Sequence, residues 1–359
     1  MRKIYFTPGP SQLYPTAYAH FQHGFTSHIA SVSHRGKQFQ EIYQELTSGL
    51  KKLLSIPKDY QIFIVGSGTE AMERTVQNCV EKYSFHFVNG SFSKRFFTMA
   101  RELGKKPLSI EVQMGKGFDF QNIVIPQKTE LVCFTHNETS SGVMIPAKEI
   151  ETIAKKHPDM LIAVDTVSST PYVDLDYRLL DVVFFSVQKL FGLPAGLGIM
   201  IVSTRAIRRA EELAQKGMRI GSYHSFPMLL QFAQKLQTPE TPPVLEMYVL
   251  SKVVQDMLVF GIKKLRKETE QKAKLYYDFL DEHATLSAFV KEKQVRSQTI
   301  IVMEIKKVKK DIKNLLAEKG LFVLGGYGTN KETQIRIANY PTHSIDDVKK
   351  LMRQLKKYC

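Results

Sequence analysis

Two short apolar runs flank one lysine near the middle of the 359-residue chain. Residues 181–187 end just before Lys189, a Gly/Pro-rich loop follows, and residues 198–202 form the second run. Short apolar runs bounded by turn residues predict buried strands, which places the lysine at the mouth of a sheet. Burial there would lower the pKa of the lysine and suit it to Schiff-base chemistry with a carbonyl. An ordinary surface lysine at a strand end is the alternative for this residue taken alone.

A third strand-like run supplies a carboxylate. Residues 161–164 are apolar and lead directly into Asp165. Open α/β sheets place ligand groups beyond the carboxyl ends of their strands. Pyridoxal phosphate (PLP) needs a lysine for its aldehyde and a carboxylate for its pyridine nitrogen. A turn or helix-capping aspartate is the alternative for Asp165 alone, but the pair of residues favours a PLP site.

Several motifs at compatible spacing carry a family resemblance over nearly the whole chain. They are the runs 164–169 and 186–189, residues 7–10, residues 33–39, residues 137–139 and residues 241–243. Together they resemble the class V, fold type I, PLP-dependent aminotransferases, and within that family the phosphoserine aminotransferases.

The resemblance implies an α/β fold of type I. We expect a seven-stranded, mostly parallel sheet with helices on both faces, and a smaller C-terminal α+β domain. The expected division is an N-terminal segment near the substrate (1–15), a large PLP-binding domain (16–250) and a small domain (251–359).

The same resemblance implies the cofactor contacts. Gly68 and Thr69 lie in a Gly-rich turn that leads into a predicted helix, where free N–H groups suit the PLP phosphate. Phe92 is expected to stack on the pyridine ring, and Thr139 and Gln188 to approach its phenolic oxygen. The alternatives are a common turn for Gly68 and Thr69, a core residue for Phe92, and local turn or capping groups for Thr139 and Gln188.

The resemblance also implies a homodimer, in which Thr241 reaches the PLP phosphate of the neighbouring subunit. Glu240 beside it would be unfavourable near a phosphate unless its side chain points away. The loop pair His34 and Arg35 is expected to reach across the interface to a substrate phosphate. A surface pair without a ligand is the alternative.

Two further residues are expected to contact the substrate. Gly9 lies in the N-terminal segment that the family places beside it. Arg336 stands on an apolar strand, where burial without an anion is costly. A bidentate pair with the substrate α-carboxylate would satisfy the guanidinium; a structural salt bridge is the alternative.

The expected function is transamination, with Lys189 as general base and acid and Asp165 stabilising the ring cation. Small anionic amino acids and 2-oxo acids are the expected substrates. The first choice is conversion of phosphohydroxypyruvate and glutamate to phosphoserine and 2-oxoglutarate, in serine biosynthesis. The alternative is a serine–pyruvate or alanine–glyoxylate type aminotransferase, favoured by the amino-acid sequence of residues 66–73. A PLP-dependent desulfurase ranks lower, since none of the three cysteines is well placed.

One departure from the phosphoserine pattern also favours the alternative. Leu321 and Phe322 stand, aligned by eye, where that family has a second His–Arg pair for the phosphate. Lys94, Arg95 and Lys331 are the candidate cations that would compensate.

Composition and charge limit the kinds of binding partner that the sequence predicts. The net charge of +15 suits an anionic ligand, but the lysine-rich runs 263–267 and 306–310 have the spacing of solvated helix faces. No nucleic-acid motif is present, so no nucleic-acid partner is expected. No apolar run approaches the roughly 20 residues of a membrane span, and the N-terminus lacks a signal-peptide core. A cytoplasmic protein without a metal site or disulfide framework is expected.

Overall fold

The computed structural model describes residues 2–305 and 311–358. The strands are β1 (Ile4–Tyr5), β2 (Gln61–Val65), β3 (Ser84–Val88), β4 (Leu108–Glu111), β5 (Leu131–Thr135), β6 (Asn137–Glu138), β7 (Val143–Met144), β8 (Leu161–Asp165), β9 (Val182–Ser186), β10 (Gly198–Val202), β11 (Leu286–Ala288), β12 (Ile300–Ile305), β13 (Leu321–Phe322), β14 (Leu324–Gly325) and β15 (Gln334–Ala338). The helices are α1 (Ala17–Thr26), α2 (Lys37–Leu54), α3 (Gly68–Cys79), α4 (Ser91–Glu102), α5 (Ala147–Lys156), α6 (Thr204–Gln215), α7 (Phe226–Ala233), α8 (Val244–Phe260), α9 (Ile262–Glu282), α10 (Ile312–Glu318) and α11 (Ile345–Tyr358).

A seven-stranded sheet forms the centre of the molecule, in the order β2-β10-β9-β8-β5-β3-β4. Strand β10 is antiparallel to β2 and β9, and the other neighbours are parallel. Every residue of β5, β8, β9 and β10 is buried, which explains their continuous apolar runs. The predicted seven-stranded, mostly parallel sheet is therefore confirmed.

Helices cover both faces of this sheet. In β2, Ile62 and Ile64 belong to one apolar cluster, which includes residues of α2, α5 and α8. Phe63 and Val65 point to the opposite face and belong to a second cluster, with residues of α3, α4, α6 and α7. The alternation of strand side chains thus builds two cores on one sheet.

A smaller antiparallel sheet, in the order β11-β12-β15-β14, forms a second layer of structure with α9, α10 and α11. The N-terminal strand β1 pairs in parallel with β13, and Ile4 and Phe6 join the same apolar cluster. Helix α9 contacts both parts of the molecule, since Leu265 packs in the large core and Tyr276 in the small one. The domain boundaries given above remain a prediction.

Three features of the helices differ from the expectations. The sequence pattern predicts one long helical stretch from Glu246 to about His283, but the structure has two helices there, because Gly261 has a φ of 92°, which ends an α-helix. Helices α1 and α7 were not predicted. The helix predicted from Lys309 begins at Ile312 in the described residues; Lys309 and the lysine-rich run 306–310 lie outside them. Across the described ranges, no helix combines the length and apolarity of a transmembrane span.

Candidate active site

A cavity of about 270 Å³ opens at the carboxyl ends of β8 and β9, between the central sheet and the small sheet. Its volume is near the lower end of small-molecule pockets, roughly 300 Å³. Nine of the twelve residues predicted for the site line this one cavity. They are Gly9, Gly68, Thr69, Phe92, Thr139, Asp165, Gln188, Lys189 and Arg336.

Lys189 lies in the turn after β9 with its side chain directed into the cavity. Its Nζ donates a hydrogen bond of 3.0 Å to the hydroxyl of Thr139 and lies 5.2 Å from the centroid of the Phe92 ring. The residue is only 7% exposed. Burial lowers the pKa of Lys189, although the carboxylates of Asp165 and Glu138 oppose that shift. A lysine of this kind is readily deprotonated, as Schiff-base chemistry requires.

Asp165 ends β8, and its carboxylate accepts a hydrogen bond of 2.8 Å from the backbone N–H of Val167. Among the described residues, no lysine or arginine comes within ion-pair distance of it. Burial raises the pKa of Asp165, because a charged carboxylate is poorly solvated there. A protonated pyridine nitrogen would supply the cationic partner that the residue lacks, so Asp165 fits the ring of PLP.

The start of α3 provides an anion site at the cavity wall. Ser67 caps the helix by accepting a hydrogen bond from the N–H of Glu70, and Gly68 and Thr69 form its first turn. A Cβ atom on Gly68 would lie 2.5 Å from Cγ2 of Val167 and 2.9 Å from Oγ of Ser186. Only glycine therefore fits this close approach. The N–H of Gly68 already donates to the Ser186 hydroxyl at 2.6 Å, so the N–H of Thr69 and the positive end of the helix are what this turn offers to the PLP phosphate.

Glu138 is a functional residue that was missed in the sequence. Its fully buried carboxylate accepts hydrogen bonds from the backbone N–H of Ser93 (2.9 Å) and the hydroxyl of Ser140 (2.6 Å). It also lies within hydrogen-bond distance of the N–H of Phe92. Glu138 thus caps α4 and fixes the turn that carries the Phe92 ring. The sequence feature that could have identified it is an acidic residue three positions after the apolar strand β5.

Arg336 projects from β15 into the cavity and is 8% exposed. Its Nε donates to the carbonyl of Gly325 at 2.9 Å, and its guanidinium lies 5.2 Å from the ring centroid of Tyr327. No carboxylate in the described part of the chain pairs with it. Burial lowers the pKa of Arg336. Arg336 therefore does not form the structural salt bridge that was the alternative. A substrate carboxylate would supply the partner that its guanidinium lacks.

His34, Arg35 and Thr241 do not line the cavity of their own chain. Arg35 donates hydrogen bonds to the backbone carbonyls of Thr238 (2.7 Å) and Pro239 (3.1 Å). It therefore holds the segment that leads to Thr241, which is exposed. The three residues form one surface region, and their roles across a dimer remain predictions.

The side chain of Glu240 is directed to His224. One ring nitrogen of His224 lies 2.9 Å from a Glu240 carboxylate oxygen, and the other ring nitrogen hydrogen-bonds Glu70 in the first turn of α3. Burial opposes protonation, but the two carboxylates outweigh it and raise the pKa of His224 to about 9. A cationic imidazole therefore lies between Glu240 and Glu70 and offsets one of their two negative charges beside Thr241.

Leu321 and Phe322 lie outside the cavity. Leu321 is fully buried in the core of the small sheet, and the Phe322 ring stacks on Tyr5 with centroids 4.7 Å apart. Leu324 and Tyr327, a few residues later, line the cavity instead. Both residues take part in the pairing of β13 with β1, and their interpretation as the mark of a lost phosphate contact stays a prediction.

A larger groove of about 770 Å³ lies at the opposite edge of the sheet, near the starts of β5 and β8. Two of its three arginines are already paired: Arg205 with Asp181 at 2.9 Å, and Arg209 with Glu130 at 2.7 Å. The groove contains none of the predicted site residues. The chemistry therefore belongs to the smaller cavity.

Comparison with known proteins agrees with this geometry. The family described as "Aminotransferase class-V" matches residues 4–353. A crystal structure of a phosphoserine aminotransferase from Cytophaga hutchinsonii is 46% identical with a TM-score of 0.97, over 99% of this chain and 98% of that chain. A phosphoserine aminotransferase from Rhodococcus opacus is 26% identical over 337 residues, 92% of this chain and 88% of that protein.

A second solved structure shows how widely the fold is shared. The alanine–glyoxylate aminotransferase from Nostoc sp. is 22% identical, with a TM-score of 0.81 over 100% of this chain and 95% of that chain. At this identity the likeness shows the fold alone, and it assigns no substrate.

Proposed function

This chain belongs to the class-V aminotransferases, and we propose that it converts phosphohydroxypyruvate and glutamate to phosphoserine and 2-oxoglutarate. It is a PLP-dependent aminotransferase. The substrate assignment is supported by the 46% identity, over almost the full length of both chains, with the Cytophaga hutchinsonii phosphoserine aminotransferase. The reaction would supply phosphoserine for serine biosynthesis.

The residues around the cavity have distinct tasks in this proposal. PLP, when bound, supplies an electron sink for the bonds at the substrate α-carbon. Lys189 would hold the cofactor through its aldehyde and, once released, move a proton at the α-carbon with Nζ. Asp165 would keep a proton on the pyridine nitrogen. The first turn of α3, with Gly68 and Thr69, would bind the cofactor phosphate.

One observation carries the proposal that the substrate is an amino acid. Arg336 is a buried guanidinium that lines the same cavity as Lys189 and has no carboxylate partner among the described residues. Leaving such a group unpaired is costly, whereas a bidentate pair with an α-carboxylate satisfies it. Binding the carboxylate there would orient the α-carbon toward Lys189.

We further infer a homodimer in which His34, Arg35 and Thr241 act at the partner's site. The support is that all three lie away from the cavity of their own chain, while Arg35 hydrogen-bonds the segment before Thr241. The contact of Glu240 with the cationic imidazole of His224 lessens an obstacle to placing Thr241 near a phosphate. A cytoplasmic location, expected from the sequence, stays part of the proposal.

The alternative of a serine–pyruvate or alanine–glyoxylate type enzyme has less support. Leu321 and Phe322, which were offered in its favour, do not line the cavity of this chain. The alanine–glyoxylate aminotransferase match, at 22% identity, shows the fold alone.

Steady-state transamination with 2-oxoglutarate as the amino acceptor tests the proposal. Phosphoserine, serine and alanine are compared as donors on the PLP-loaded protein. A charge-assisted contact is worth roughly 1.5–3 kcal/mol, so we expect kcat/KM for phosphoserine to exceed that for serine by about ten- to 100-fold. A preference for serine or alanine would overturn the substrate assignment.

A further inference from the structure

We propose that Arg95 binds the distal anionic group of the substrate, which is the phosphate of phosphoserine or the γ-carboxylate of glutamate. This inference rests on the proposed function and names a residue that recognises its substrates. Arg95 lies in α4, one turn after Phe92, and its side chain lines the same cavity as Lys189 and Arg336.

Four side chains along one wall of the cavity form a continuous series. The Arg95 guanidinium lies 5.4 Å from the Phe92 ring centroid, and the Phe92 and Tyr327 rings are 5.7 Å apart at 59°. The Arg336 guanidinium follows, 5.2 Å from the Tyr327 ring. Each arginine therefore packs against one ring of an aromatic pair, which orients its planar group while leaving the N–H edges available.

The hydrogen-bonding capacity of Arg95 is unused within the described residues. None of its five N–H donors has an acceptor there, and no carboxylate lies within ion-pair distance. A guanidinium beside a cavity with free donors is a strong site for a phosphate or carboxylate, because its fork matches two oxygens at once.

The other two candidate cations serve elsewhere or lie outside the cavity. Nζ of Lys94 pairs with the carboxylate of Glu111 at 2.8 Å. Lys331 and Arg95 are both exposed, but Lys331 does not line the cavity, whereas Arg95 does. Of the three cations singled out in the sequence, Arg95 alone meets the requirement of lining the cavity.

Two arginines at one cavity match the charge pattern of both proposed substrates. Phosphoserine and glutamate each carry an α-carboxylate and a second anion at the end of the side chain. Arg336, on β15, is placed for the first anion, and Arg95, on α4, is assigned the second. Alanine has no distal anion and gains nothing from Arg95.

The test compares Arg95→Gln and Arg95→Lys with the matched control Lys94→Gln, which removes one charge from the neighbouring residue of the same helix. Half-reactions of each PLP-loaded protein are followed with phosphoserine, glutamate and alanine. We expect Arg95→Gln to raise the half-saturating concentration of phosphoserine and glutamate about ten- to 100-fold, with the limiting rate little changed. Arg95→Lys should recover part of this loss.

Lys94→Gln should stay within about twofold of wild type, and the reaction with alanine should be unaffected by either substitution. Equal effects of Arg95→Gln and Lys94→Gln, or no effect of Arg95→Gln on either anionic substrate, would overturn the role of Arg95. If wild type does not react with phosphoserine, the proposed function fails, and the glutamate series still decides the role of Arg95.

Discussion

Nζ of Lys189 donates a 3.0 Å hydrogen bond to the hydroxyl of Thr139, although the two residues are 50 positions apart in the chain. Strand β8, which ends at Asp165, lies between β5 and β9, the strands that precede Thr139 and Lys189. Three neighbouring parallel strands, β5, β8 and β9, thus deliver a hydroxyl, a carboxylate and an amine to one edge of the sheet. This convergence is the basis of the site.

Lys189 should be the residue that PLP modifies. We expect borohydride treatment of the PLP-loaded protein to leave a covalent label on the peptide that contains Lys189, as located by mass spectrometry. Lys189→Ala should lose the label and at least about 1,000-fold in kcat, since no other group replaces its proton transfer.

Lys272 is the matched control, because it is also a buried lysine with a lowered pKa, caused by burial. It donates to the backbone carbonyls of Tyr340 (2.7 Å) and His343 (2.8 Å), away from the cavity. Lys272→Met should therefore destabilise the fold by about 2–4 kcal/mol without removing the label at Lys189. Labelling at Lys272 in wild type would contradict this assignment.

Asp165→Asn should lower kcat while the covalent label at Lys189 persists. Asparagine is of similar size but cannot keep a proton on the pyridine nitrogen. The loss of one charge-assisted hydrogen bond, worth roughly 1.5–3 kcal/mol, corresponds to about a ten- to 100-fold decrease in kcat. An unchanged kcat for the variant would show that Asp165 has no part in the reaction.

Glu138→Gln should weaken the start of α4. The buried carboxylate accepts hydrogen bonds from Ser93 and Ser140, and its replacement should cost about 1–2 kcal/mol in the free energy of unfolding. Urea denaturation measures this change. Glu111→Gln is the control: its ion pair with Lys94 is exposed, so a loss below about 1 kcal/mol is expected there. Equal effects would mean that Glu138 contributes no more than a surface charge.

His224 should make the free energy of unfolding decrease as the pH rises into the alkaline range. Its pKa is raised to about 9 in the folded protein, against roughly 6.5 in an unfolded chain. A group whose pKa is higher in the folded protein contributes its full stabilisation at pH values below the pKa it has in the unfolded chain. For His224 this contribution is lost as pH rises from about 6.5 to about 9. At roughly 1.4 kcal/mol per pKa unit, the loss is on the order of 3 kcal/mol.

Unfolding free energies of wild type and His224→Gln at pH 6 and pH 9 measure this contribution. The variant should show a smaller decrease between the two pH values than wild type. His157→Gln is the control, since burial lowers the pKa of His157 and no carboxylate pairs with it among the described residues. The same pH dependence in wild type and His224→Gln would exclude the network with Glu70 and Glu240.

Lys189, Asp165 and Gly68 could be predicted because each lies at the end of a strand, shortly after one, or at a helix start. Lys189 and Asp165 follow apolar strands, and Gly68 begins a helix after another. In a parallel sheet, strand direction alone brings such positions together, so local patterns were enough to find them.

The parts that could not be predicted depend on contacts between distant segments. The hydrogen bond from His224 to Glu70 joins residues 154 positions apart, and no local pattern announces it. The surroundings of Leu321 and Phe322 could not be predicted for a related reason. Pairing of β13 with the N-terminal strand, more than 300 residues away, places Leu321 in the small core and Phe322 against Tyr5.

The most direct test of the central claim is the half-reaction of the PLP-loaded protein with phosphoserine, followed by the absorbance of the cofactor. The account predicts rapid, complete conversion to the pyridoxamine form with phosphoserine, and far slower conversion with alanine or serine at the same concentration. Conversion by alanine or serine with phosphoserine inert would contradict the phosphoserine assignment, and a protein that binds no PLP would contradict the site itself.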